Sequence, residues 1–186
     1  MSMQKTDKYP KIQIQLHWLT FILVMCTYLW VWLAKYVLTP FPGVDHFFWL
    51  MHFFFGALVF VFTCIRFVVQ KLLQRYIPEV VPAIPKWQYW TATVVKILLV
   101  VVYWLIPLAG YLYRCQKGAT LDLYVKVFQA RCEVDLSSAQ MWHAIHVNTA
   151  YLALALIAVH SGFVLFNHYV RKNNMLLRMM PKKRGS

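Results

Sequence analysis

Four long apolar runs alternate with short polar, basic or proline-bearing segments along this chain. Residues 1–11 are polar and carry Lys5, Lys8 and Lys11, and the first apolar run follows over about 12–38. A break with Pro40, Pro42, Gly43 and Asp45 separates it from a second run over about 47–73. Lys71, Arg75, Pro78, Pro82, Pro85 and Lys86 mark the next interruption, before a third run over about 88–113. Residues 114–140 mix both signs of charge, and the fourth run occupies about 141–169 ahead of a basic tail. Each run exceeds the ~20 residues a helix needs to cross a hydrocarbon core. The first is too long for the apolar part of a signal peptide and lacks a small-residue cleavage site, so it reads as a retained span.

Composition strengthens that reading. The chain is 61% hydrophobic and only 13% charged, with a mean hydropathy of +0.53; a soluble domain of 186 residues carries far more charge. Lys and Arg outnumber Asp and Glu by 19 to 6. On a soluble protein that excess would suggest nucleic acid, but here the cations gather at segment ends, where positive-inside topology and anionic lipid account for them. The N-terminus, the loop around 71–86 and the tail hold most of them, so both termini are expected in the cytoplasm and residues 114–140 in the periplasm. The predicted fold is all-α: a single integral-membrane domain over 1–186, an antiparallel four-helix bundle.

The fourth run carries His146 and His160, fourteen residues apart. At ~100° and ~1.5 Å per residue they return to nearly one helix face, roughly 21 Å apart along the axis. His52 lies near the start of the second run, which has the same direction, and His17 begins the first run from the opposite side. Two depth-matched pairs result: His52 with His146 towards the outside, and His17 with His160 towards the inside. Neutral imidazoles on facing helices are good axial ligands for haem iron. An isolated membrane histidine merely bonding a neighbouring helix is the simpler alternative, and four that close into two pairs argue against it. His143 lies one turn before His146 on another face and ranks below it as a ligand. His46 is expected in the loop, and His168 at the membrane interface, where it could also line a quinone pocket.

Arg66 follows His52 by fourteen residues, repeating the His146–His160 spacing. It is predicted at inner-haem depth, where a propionate would partner it; snorkelling to the interface is the other reading. Lys96 in the third run is read in the same way. Gly56, one turn from His52, removes bulk beside a macrocycle or permits close helix packing.

Gln15-Leu16-His17-Trp18, His52 with Gly56 and Arg66, Pro107 near Gly110, the His146/His160 pair and Leu176-Leu177-Arg178-Met179-Met180-Pro181 together resemble the bacterial cytochrome b561 family. The likeness covers nearly the whole chain outside residues 114–139. It implies two haem b groups on His17, His52, His146 and His160, and a superoxide oxidase-like activity that passes electrons from superoxide to ubiquinone. Two positions depart from it: Lys96 stands where relatives often have histidine, and Asn167-His168 where a His-His pair is common.

One-electron transfer with a quinone acceptor fits these residues, and Arg114, Lys117, Lys126 and Arg131 could steer an anion to the outer face, diluted by Asp122, Glu133 and Asp135. One rival is an electron carrier between the quinol pool and a protein partner, without superoxide activity. Another, from a different class, is a transporter or assembly factor whose histidines bind a transition metal. An anchor subunit for a larger dehydrogenase is a third. Cys26 and Cys64 are expected to be inert within spans, while Cys115 and Cys132 are expected to pair in the outer loop.

Overall fold

A computed structural model describes residues 7–37, 44–123, 127–128 and 132–181. It contains four helices long and apolar enough to cross a membrane. The first, α1, spans Lys11–Trp32 and continues as a π-helical turn over Leu33–Val37. Then come α2 (Val44–Leu72), α3 (Lys86–Gln116) and α4 (Leu136–Tyr169). Proline opens two of them: Pro10 and Pro85 stand just before the first turns of α1 and α3, where no intrahelical donor is required. Asp135 caps α4, its carboxylate accepting from the Ser137 and Ser138 amides at 3.0 and 3.2 Å.

The breaker residues Pro40, Pro42 and Gly43 lie outside the described residues, as do Lys126 and Arg131. His46, expected in the loop, stands in the first turn of α2 and is exposed. The helices also run past the apolar stretches at the outer end. α3 reaches Gln116 and α4 starts at Leu136, because polar residues extend a helix into water once its apolar part is anchored. Between them, β1 (Leu121–Asp122) and β2 (Val127–Phe128) pair antiparallel, Leu121 opposite Phe128.

α1 packs along α2 and α3 along α4, with a lighter contact between α2 and α3. Leu23, Val24 and Val59 form a small buried cluster, joined by Tyr28, Phe55, Phe62, Tyr103 and Ile157. Large side chains such as Ile22, Val68, Trp90 and Tyr151 stay exposed, as a lipid-facing surface requires. Hydroxyls inside the spans bond back to their own helix: Thr20 to the Leu16 carbonyl at 2.6 Å and Thr63 to that of Val59 at 2.7 Å.

Each end of the bundle is fastened. At the end expected to face outward, Cys115 and Cys132 form a disulfide, and the Asp135 amide donates to the Gln116 carbonyl at 3.0 Å. At the opposite end, expected to face inward, residues 173–181 fold back as a strap. Asn174 bonds to Val81 and Glu79 in the α2–α3 loop. Tyr9 donates its amide to the Arg178 carbonyl at 3.1 Å, and the Trp18 indole donates to the Met179 carbonyl at 2.9 Å. The Arg178 guanidinium donates to the Pro78 carbonyl. The beginning of α1 and the ends of α2 and α4 thus meet on one side, the arrangement of an antiparallel four-helix bundle.

Candidate functional site

α1 meets α4 largely through side chains, among them His17 and His160, whose ring centroids are 6.4 Å apart with planes at 69°. Nearer the other end His52 of α2 faces His146 of α4, with centroids 6.1 Å apart and planes at 88°. Two imidazoles that share one metal at about 2 Å each have centroids roughly 6 Å apart. Both pairs have that separation.

The outer pair is also oriented by the backbone. His52 Nδ1 lies 3.1 Å from the Thr27 carbonyl, and His146 Nδ1 lies 2.8 Å from that of Ile106. A carbonyl only accepts, so in each neutral ring Nδ1 carries the proton and Nε2 keeps its lone pair for a metal. Gly110 makes room for this. A Cβ there would come within 2.9 Å of His146 Nδ1 and 3.0 Å of its Cε1. The sequence drew attention to Gly110 only as part of a motif, because this contact is made between two helices and no spacing within either one records it. In the inner pair, His17 Nδ1 is buried without a hydrogen-bond partner.

Beside Gly56 there is open space, with nothing within 4 Å of where a Cβ would sit. Close helix packing is therefore not what glycine provides there; a vacant flank one turn from His52 suits a flat group lying against the helix. Arg66 lies near enough to His17 and His160 to act on both electrostatically, and Lys96 acts on His160.

His143 is turned away from the pair and stacks on Tyr113, with centroids 4.8 Å apart. Lys117 reaches the Tyr113 hydroxyl at 3.3 Å. Arg114 lies over the Phe53 ring at 5.1 Å and donates to the Thr120 carbonyl at 2.6 Å. Of the four cations expected on the outer face, Arg114 thus packs on the ring next to His52 and Lys117 on the ring that meets His143. At the inner end, Asn167 is fully buried, donating to the Phe163 carbonyl at 2.9 Å and accepting from Asn173 at 3.1 Å. It anchors the strap and is closed to ligands. His168 bonds through Nδ1 to the Asn173 carbonyl at 3.1 Å and lines a cavity of about 310 Å³ with Val81, Lys172 and Asn174.

Among the described residues no three His, Cys, Asp or Glu side chains converge to hold a bare metal ion. Pairs of imidazoles suit a metal that arrives with its other ligands already in a macrocycle. The donor set therefore fits haem better than the transition-metal reading.

A family profile described as prokaryotic cytochrome b561 matches residues 8–182. The protein called cytochrome b561 homolog 1 of Escherichia coli (strain K12) is 30% identical over 182 residues, which cover 96% of this chain and 99% of that protein. A protein of Yersinia pestis described as probable superoxide oxidase CybB is 27% identical over 180 residues, covering 96% and 98%.

Proposed function

The chain belongs to the prokaryotic cytochrome b561 family, a family of membrane electron-transfer proteins with b-type haem, and from that premise we propose that it holds two haems and moves single electrons from superoxide to ubiquinone. His52 and His146 hold the outer haem, and His17 and His160 the inner one. The observation that carries this reading is the two pairs of facing imidazoles, at 6.1 and 6.4 Å, with the outer rings fixed as Nε2 donors by backbone carbonyls. When bound, b-type haem supplies reversible one-electron chemistry. Gly56 leaves room for a macrocycle, and Arg66 and Lys96, which both act on His160, would offset propionate charge at the inner seat.

The superoxide half of the proposal draws on the Yersinia pestis relative's description and on Arg114 and Lys117 near the outer pair. Their charge attracts an anion and raises its encounter rate. Two superoxide ions give two molecules of dioxygen, while one quinone takes up two electrons and two protons to become quinol. The basic inner segments support an inner-membrane orientation with both termini cytoplasmic.

A reduced-minus-oxidised spectrum with haem counted per chain tests the seats, and two b-type haems are expected. Superoxide-dependent reduction followed by reoxidation with a soluble ubiquinone tests the substrates. Haem that is reduced by quinol yet is indifferent to superoxide would instead make the protein a carrier between the quinol pool and a protein partner.

A further inference from the structure

Three cations, Arg66, Lys96 and Arg178, gather at the inner end of the bundle. The Tyr9 hydroxyl acts on Arg66 and the Arg178 guanidinium on Lys96. Gln13 adds a neutral donor to the same place. It is only 6% exposed and stands four residues before His17 in α1, a spacing that puts both side chains on one face, a turn apart. Its Nε2 has no hydrogen-bond partner among the described residues. A buried amide with an unmet donor carries the full desolvation penalty of that group unless something absent from the protein chain accepts from it. The acceptor has to sit beside His17, among cations, so an anionic oxygen suits the position better than the neutral carbonyl of a quinone.

We propose that Gln13 is a cofactor-positioning residue of the inner seat, its buried and unpartnered Nε2 donating to a carboxylate oxygen of the group held between His17 and His160. The inference rests on the two-haem reading, in which that carboxylate is a propionate. A donor to a propionate offsets part of its negative charge, and without it that charge favours the ferric state. Gln13 therefore raises the potential of the inner haem and leaves the outer one alone.

The test is a spectroelectrochemical titration of the haem-loaded full chain, with haem counted in every sample. In Gln13→Met, which keeps length and loses the donor, one of the two midpoints should fall while the other stays. Gln13→Glu keeps the shape and adds charge, so the same midpoint should fall further, and the shift should shrink as pH enters the carboxyl range. His160→Leu, which retains only the outer seat, identifies which midpoint is the outer one. Two haems with both midpoints unmoved in both variants would overturn the proposal, as would an equal shift of the two or a shift confined to the outer midpoint. A wild-type count below two haems would overturn the two-haem reading itself, and this inference with it.

Discussion

Gly110 and His146 set the tolerance of the outer seat. A methyl group at 110 would lie 2.9 Å from Nδ1, the atom that bonds the Ile106 carbonyl, so it would strain the ring and break its fixed orientation. Overpacking of this kind costs about 1–3 kcal/mol. Gly110→Ala should lower haem content from two per chain towards one, measured by pyridine haemochrome on purified protein. His143→Leu should leave the count unchanged, because that ring stacks on Tyr113, whereas His146→Leu should lose one haem. Equal losses in the two histidine variants would contradict this assignment. The facing histidines could be found in the sequence because a fourteen-residue spacing on one helix converts directly into depth. Gly110 and Gln13 could not be assigned in that way. What each does depends on a partner outside its own helix, and no period in the chain records such a partner.

At the scale of elements, α4 begins on a single carboxylate. Hydrogen bonds from Ser138, side chain and backbone, and then from the Ser137 amide hold Asp135 below the usual carboxylate range. The folded value is depressed, so the stabilisation is present above the unfolded carboxyl range and is lost as pH falls through the folded value. Asp135→Ala should therefore lower Tm at neutral pH, with the gap to wild type closing in acid; a gap independent of pH would contradict the cap. A few residues away, the disulfide closes a loop across a sequence separation of 17. Links of that length contribute about 3 kcal/mol in the chain-entropy account. Cys115→Ser with Cys132→Ser should lower Tm and speed proteolysis between α3 and α4, while intact protein should show no free thiol at either position by non-reducing mass measurement. The four helices were legible because lipid demands long apolar runs. Their outer ends were not, since Gln116 and Leu136–Gln140 continue the helices beyond lipid, where hydropathy no longer reports structure.

For the molecule as a whole, the strap of residues 173–181 ties three inner-end pieces to one another. Its motif was visible in the sequence, but its role was not, because its contacts reach back across most of the chain to Tyr9 and Trp18. Asn174→Ala removes the side-chain bonds to Val81 and Glu79 at 2.9 and 3.2 Å. It should expose the strap to limited proteolysis while haem content stays the same; a fall in haem would mean that the strap supports the inner seat directly. The bundle itself consists of two helical hairpins, α1 with α2 and α3 with α4, and one helix contributes a histidine to each facing pair. That helix is also the last of the four to be translated. Neither pair of facing imidazoles can close while the ribosome is still making the first three spans. On the two-haem reading, cofactor capture therefore waits for the fourth span and would then join the first hairpin to the second.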